Sequence, residues 1–448
     1  MKTTMRWRLL ALVGVFALVA ASCGDDDEAG DTTTAAPVDT TAAPVDTTAA
    51  PVDTTAAPVD TTAAPAEGDG VLRVGTLLPE TGDLAFLGPP EFAGADLAAL
   101  EINDAGGVLG APIELIQGDS GDTNTDIANQ TTDQHLAAGV DAIVGAASSG
   151  VSFTVIDKIT GANVIHFSPA NTSPDFTEYP DNGLYFRTAP SDVLQGRVLA
   201  DAIVDDLSAN VVILTRQDPY GEGLLQFTSG PLQEAGVAVT EIVYDPSAAE
   251  FAAEVQQAVS AAPDAVVIIG FAETEQIGKE LISQGLGPQE VPWWFVDGNI
   301  GNSMGENFDD QPGVLAGVRG TLPTAELTED FRGRLLSVDP ALTDFSYGPE
   351  TYDAIVIIAL AAEVAGSDFG PDVAAQINDV TRGGEKCTTF ADCKALIEAG
   401  TDIDYDGVGG PYEFGDAGEP SEASFAIFQY GDDNRLDDSL TEYRFAAI

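Results

Sequence analysis

Histidine is almost missing from this chain. His135 and His166 are the only two, which leaves little room for histidine-based acid–base chemistry. The sequence has no G-x-S-x-G elbow, no H-E-x-x-H, no P-loop and no repeated Cys/His metal spacing. Paired carboxylates stay open as an enzymatic device in so acidic a chain. Basic residues are scarce as well: 17 Lys and Arg stand against 73 Asp and Glu, a net charge of −56. No basic stripe is available to neutralise phosphates, so nucleic acid is excluded as a partner class. The acidity is spread through the body and serves solubility. No cofactor is expected, and no metal.

Cysteine is limited to Cys23, Cys387 and Cys393. Cys23 closes the N-terminal segment. Lys2, Arg6 and Arg8 form a basic n-region, and Leu9 to Ala21 an apolar stretch too short to span a bilayer. It ends in "VAASC", which looks like a bacterial lipobox, with Ala20 where Leu is more usual. Residues 1–23 therefore read as a lipoprotein signal peptide with Cys23 lipidated. An ordinary secretory leader with an incidental Cys is the alternative. Either places the body on the extracytoplasmic face; the first anchors it to the cell membrane by lipid.

"TTAAP" then recurs five times between Thr33 and Pro65. A period of seven suggests a coiled coil, but a Pro in every unit removes a helix donor and clashes with the preceding turn. Residues 24–70 read as a Pro/Thr-rich linker, spanning at most about 140 Å at about 3.1 Å per residue. In an exported protein, Cys387 and Cys393, six apart, read as a disulfide closing a small loop before a helix.

Residues 71–448 are too many for one ordinary core and fit two lobes. "VLRVGTLL", "APIELIQGD", "VDAIVGA" and "NVIHF" read as strands separated by helices, among them 125–138 and 149–160. The alternation restarts with "ANVVILT", a helix near 221–235, "VAVTEIVY", a helix near 249–261, "DAVVIIGF", a helix near 273–284, and "PWWFVD". Short, nearly continuous apolar strands between helices argue for parallel sheets covered on both faces. The fold class is therefore α/β. "TYDAIVIIALAAEVAG" reads as a core helix, and "SFAIFQY" and "TEYRF" as strands added to an existing sheet.

Ligands of open α/β sheets bind beyond the carboxyl ends of the strands. Those ends carry Ser148-Ser149-Gly150, then "SPANTS" with Ala170 and Thr172, then "RQDPYGEG" with Tyr220, then Phe271, then Asp297-Gly298-Asn299. The first two groups belong to the first run of strands and the others to the second. Polar and aromatic groups thus fall on both walls of an inter-lobe cleft.

The segments "EINDAGGVLGAPIEL", "VDAIVGAASSG", "SPANTSP", "YFRTAPSDVLQG", "DPYGEG" and "GPETYDA" occur in order between about 72 and 355, with "DYDGVGGPYEF" beyond. On these the body resembles the type I periplasmic solute-binding proteins, in the leucine/isoleucine/valine-binding group of ABC importers. The resemblance implies two lobes, 71–190 with 323–411 and 191–322 with 412–448, closing on a ligand at their hinge. It implies that Ser149 holds a ligand carboxylate. The Ala170 carbonyl and Thr172 hydroxyl would take the ammonium, with Asp297 near its acidic partner and Tyr220 a second-lobe contact. Leu87 stands where leucine binders carry Tyr, and Phe271 or Ala272 where a second-lobe aromatic is expected, so the side-chain half of the pocket does not transfer. Without the resemblance, Ser168 and Thr172 read as turn caps.

The implied partners are a small amino acid, branched-chain by the resemblance, and the membrane subunits of an ABC permease; an amide, urea or an aromatic acid is the alternative solute. A sensory receptor of the same fold and a surface enzyme are the competing readings. One motif stands apart. "DIDYDGVGGPYE", residues 402–413, satisfies the EF-hand pattern through Asp402, Asp404, Asp406 and Glu413. Gly409, Gly410 and Pro411 break the exit helix that motif needs, and "PYEF" reads as a strand, so a structural turn is expected in place of a calcium site.

Overall fold

In the computed structural model, residues 68–447 are described; the leader, Cys23 and most of the Thr/Pro linker lie outside the described residues. Five short strands build the first sheet: β1 (Arg73–Leu77), β2 (Glu114–Ile116), β3 (Ala142–Gly145), β4 (Ile165–Ser168) and β5 (Tyr185–Arg187). All neighbours are parallel, in the order β2-β1-β3-β4-β5. Helices α1 (Gly88–Asp104), α2 (Ile127–Ala138) and α3 (Ser149–Gly161) make the crossovers. Strands β3 and β4 are buried at every position, as the unbroken apolar runs demand of a sheet covered on both faces.

Beyond β5 the chain enters a second α/β unit through α4 (Asp192–Asp205). Here β6 (Asn210–Arg216), β7 (Ala238–Tyr244), β8 (Ala265–Ile269), β9 (Trp293–Phe295) and β10 (Arg319–Pro323) alternate with α5 (Pro219–Glu234), α6 (Ala252–Ala261), α7 (Thr274–Ser283) and α8 (Asn302–Glu306). The chain returns to the first unit as α9 (Glu329–Val338), α10 (Gly348–Ala365), α11 (Gly370–Ile377), the paired strands β11 (Glu385–Cys387) and β12 (Ile403–Tyr405), and α12 (Phe390–Glu398). It then crosses back as β13 (Glu422–Gln429), which adds antiparallel to β10, and β14 (Glu442–Ala447), which adds antiparallel to β13. The second sheet runs β14-β13-β10-β9-β8-β6-β7. Tyr412 and Phe414 pack in the first core, and the Gly418 carbonyl accepts from the Arg187 amide at 3.0 Å. The last crossing therefore falls near Pro420, beyond the 411 expected.

Helix α10 is apolar all round because it is enclosed: Gly348 to Ala362 are all buried. Among the described residues no single helix is long and apolar enough to cross a membrane. Helices α1 and α10 approach so closely that a Cβ on Gly94 would lie 2.2 Å from the Gly348 carbonyl oxygen. Backbone cannot give way there, so Gly94→Ala should lower unfolding free energy by about 1–3 kcal/mol, read as a lower denaturation midpoint.

Glu91 and Glu350 meet in this region, in the first turns of α1 and α10. Both are buried, and neither Glu91 carboxyl oxygen has a partner. Burial, with the other's charge, pushes Glu91 well above the usual range; burial pushes Glu350 up to about 8. A raised carboxyl stays protonated in the fold while the unfolded chain ionises. Stability is thus full below about pH 4.3 and is lost as pH rises through the folded value. Glu91→Gln should leave the melting temperature unchanged near pH 4 and raise it at pH 8.

Cys387 and Cys393 are disulfide-bonded, with Cα atoms 5.3 Å apart. Cys387 ends β11, and Cys393 lies inside α12, so the bridge ties strand to helix instead of closing a loop ahead of the helix. The acidic 402–413 stretch folds around a lysine. The Lys386 ammonium lies 2.9 Å from Asp404, 2.9 Å from Asp406 and 3.2 Å from Glu413. Among the described residues no cluster of His, Cys, Asp or Glu is arranged to hold a metal. Residues 411–414 form no strand, only isolated bridges from Pro411 and Phe414.

Candidate solute site between the lobes

The carboxyl ends of the two sheets face each other across a small cavity. Leu84, Leu87, Ala147, Ser148, Ser149 and Ala170 line it from the first lobe. Tyr220, Phe271, Asp297 and Gly298 line it from the second, and Tyr347 from the turn that opens α10. The cavity volume is about 10 Å³, room for about one water. This is a closed cleft whose walls touch.

The first-lobe wall is a turn held rigid by its own polar groups. The Ser168 hydroxyl donates to the Ala146 carbonyl at 2.7 Å and accepts from the Ala170 and Asn171 amides. Asn171 Nδ2 donates to the Ala146 and Ala147 carbonyls, both at 2.9 Å, and the Tyr185 hydroxyl donates to its Oδ1. Ser168 and Asn171 therefore build the turn. Beneath it Arg187 is fully buried. Its Nη1 donates to the Asn171 and Ser173 carbonyls at 3.1 and 2.8 Å, and its Nε to Glu419 at 2.9 Å.

Ser148 is the N-cap of α3, accepting from the Val151 amide. The Ser149 hydroxyl accepts from the Ser173 amide at 3.3 Å and still faces the cavity. The Ser149 and Gly150 amides have no hydrogen-bond partner among the described residues, as expected of a helix N-terminus open to an anion. Thr172 does not line the cavity. It is buried behind the turn with its hydroxyl unpartnered.

Asp297 is the polar centre of the second wall. Gln195 Nε2 and the Tyr220 hydroxyl each donate to its Oδ1 at 2.7 Å, and the Tyr347 hydroxyl donates to Oδ2 at 2.8 Å. Burial raises the Asp297 carboxyl, and the bonds from Tyr220, Tyr347 and Gln195 oppose that rise. Tyr220 stacks on Phe271, their ring centroids 5.2 Å apart. The Arg216 guanidinium covers Phe271 at 3.5 Å and is itself paired with Asp218 and Glu273. Both buried guanidinium groups near the cleft, Arg187 and Arg216, are thus neutralised by carboxylates outside it.

Tyr347 and Gln195, which hold Asp297, were not singled out from the sequence. Tyr347 had one available signal, since "SYGPETYDA" places it directly before a resembling segment. The structure adds another: its backbone is left-handed at φ 59°, a conformation bulky residues adopt where the surroundings impose it.

Two lobes, parallel sheets flanked by helices and a polar cleft at the strand ends define a type I periplasmic solute-binding fold. Residues 71–435 match the Periplasmic binding protein family, and the chain belongs to it. It is a solute-binding protein of an extracytoplasmic, non-enzymatic family. Leu/Ile/Val-binding protein homolog 1 of Brucella suis biovar 1 is 30% identical over 322 residues, covering 67% of this chain and 80% of that one. The Streptococcus pneumoniae branched-chain amino acid transporter substrate binding protein LivJ, solved with isoleucine, superposes with TM-score 0.68 at 20% identity, over 84% of this chain and 100% of its own. An R. palustris ABC-transporter solute binding protein, solved with benzoate, gives 0.67 at 17% identity, over 85% and 98%.

Proposed function

We propose that the cleft binds a small zwitterionic amino acid with an apolar side chain, and that the protein delivers it to an ABC permease. The observation that carries this reading is Asp297, a buried carboxylate on the cavity wall whose partners are all neutral donors. An ammonium group exchanges for the tyrosine hydroxyls and supplies the missing charge. The solute carboxylate meets the opposite wall, at the Ser149 hydroxyl and the free amides of α3, where the helix dipole favours an anion. The Ala170 carbonyl, on the same wall, accepts from the ammonium. Leu84, Leu87 and Phe271 give the side chain an apolar surface.

Entry requires the lobes to part, because the closed cavity holds no more than about a water. Closure around the solute is the change a permease reads. Cys23, lipidated, holds the protein on the extracytoplasmic face of the membrane, with the Thr/Pro repeat as tether.

Thermal unfolding of the intact protein against the twenty amino acids, with benzoate as the plain-acid control, tests this. A solute at about 100 times its Kd adds about 2.7 kcal/mol. An aliphatic amino acid should raise the melt and benzoate should not. A shift with benzoate alone would overturn the zwitterion reading.

A further inference from the structure

A second cavity lies between the lobes. Its volume is about 210 Å³, against about 10 Å³ in the closed cleft, and far more than one water needs. Leu322, Phe428 and Tyr443 line it from the second lobe, and Leu327 and Phe345 from the first. Tyr443 is 40% exposed, so this wall reaches solvent while the cleft is shut. Mostly apolar walls with a few placed polar groups, at a junction of domains, are the usual make-up of a small-molecule site.

Three charged groups stand on the walls: Arg332, Asp344 and Asp438. Arg332 is already matched. Its Nη1 donates to Asp438 at 3.1 Å, from one lobe to the other, and its guanidinium lies 5.3 Å from the Phe345 ring centre. Asp344 has only neutral donors. The Asn302 amide and Nδ2 reach its Oδ1 at 3.0 and 2.9 Å, and the Ser303 amide reaches Oδ2 at 3.4 Å. Among the described residues no Lys or Arg is paired with it, and burial raises its carboxyl. The walls therefore carry one uncompensated negative charge and three aromatic rings, in a chain of net charge −56. That favours a cation with an apolar body, its charge toward Asp344 and its body against Phe345, Phe428 and Tyr443.

Two chain segments serve both cavities. In one, Asp297 and Gly298 line the cleft and Asn302 lines the second cavity. In the other, Thr343 to Ser346 line the second cavity and Tyr347 lines the cleft. The segments are tied at both ends. Asn302 holds Asp344 and donates from Nδ2 to the Thr343 carbonyl at 3.1 Å, and the Tyr347 hydroxyl holds Asp297 at 2.8 Å. A molecule seated against Asn302 and Asp344 thus bears on the residues that form the solute site.

We propose that this cavity is a second, regulatory site, which takes a small organic ammonium compound and holds the lobes in their closed arrangement. Its walls come from both lobes, so an occupant fits only while they stand as here, with the cleft shut. By linkage such an occupant tightens solute binding, and the solute tightens the occupant's. The binding site stands on its own observations; its effect on the solute rests on the reading of the cleft.

Phenethylammonium serves as the probe, and 3-phenylpropanoate, the same body with the opposite charge, as the control. The intact protein is melted with each, and titrated by calorimetry with the amino acid that most raises its melt, with and without each. Phenethylammonium alone should raise the melt and should tighten amino acid binding at least about 5-fold. Phenylpropanoate should do neither. Asp344→Asn keeps an acceptor for Asn302 and should lose both effects. So should Ala325→Trp, which fills the cavity and leaves Asp344 in place. Weaker amino acid binding in the presence of the probe would put the probe in the cleft, and unchanged binding would leave the cavity uncoupled; either overturns the inference. An effect of phenylpropanoate in place of phenethylammonium would assign the cavity to an anion at Arg332 and overturn it too. If no amino acid binds, the reading of the cleft fails by itself. The melts of wild type, Asp344→Asn and Ala325→Trp with phenethylammonium then still decide whether the cavity is a site.

Discussion

Replacing Arg187 with alanine is expected to destabilise the protein by about 3–5 kcal/mol, the range for leaving one partner of a buried ion pair uncompensated. Arg187 is fully buried, and Glu419 is only 6% exposed. The substitution strands the Glu419 carboxylate beside the Thr177 hydroxyl. It also frees the Asn171 and Ser173 carbonyls that Nη1 now holds. Those carbonyls belong to the turn that carries Ala170 and Thr172, so solute affinity should fall together with stability. Denaturant unfolding with and without the solute separates the effects. Arg187→Lys should recover part of the charge and little of the forked geometry. A variant as stable as wild type would show that Glu419 finds another partner and that Arg187 is not the support of the turn.

The second large effect is expected at Asp297. Asp297→Ala should weaken amino acid binding by about 2–5 kcal/mol, the range for removing one member of a buried charge pair, at least about 30-fold in Kd. Three donors converge on this carboxylate, from Gln195 on α4, Tyr220 on α5 and Tyr347 before α10. Removing it leaves two tyrosine hydroxyls and an amide without their acceptor in the empty cleft. Asp297→Asn keeps the shape and one acceptor, so it should fold better than the alanine variant and still bind poorly. Titration calorimetry reads both. Wild-type affinity in Asp297→Asn would move the ammonium site elsewhere.

The parts of this architecture written locally in the chain were readable from it. "VVIL" and "AVVII" are strands because a parallel sheet covered on both faces needs every position apolar, and both are buried throughout. The cleft-lining residues Ser148, Ala170, Tyr220, Phe271 and Asp297 were reachable because each follows a strand, and strand ends of parallel sheets converge. Thr172 followed the same rule yet faces away from the cavity, since one residue along an irregular turn changes the direction of a side chain. Gln195 lies in the first turn of a helix, Tyr347 precedes one, and neither follows a strand. Their part in the site depends on partners far off in sequence: Gln195 meets Asp297, and Tyr347 reaches it from the opposite side along the chain. Arg187 and Glu419 are separated by 232 residues, and no local pattern announces such a pair. The acidic 402–413 motif shows the converse: its spacing suits a cation, and the cation is Lys386, supplied by the neighbouring strand.

On the proposed function, the cleft recognises both charged ends of an amino acid. The most direct test is a titration of the intact protein with three compounds. They are the amino acid that most raises the melt, the acid lacking its amino group and the amine lacking its carboxylate. The geometry predicts that only the complete amino acid binds tightly, each truncated compound losing at least about 30-fold, or about 2 kcal/mol. Equal binding of the deaminated acid would contradict the claim, because it would leave Asp297 with no charge to meet.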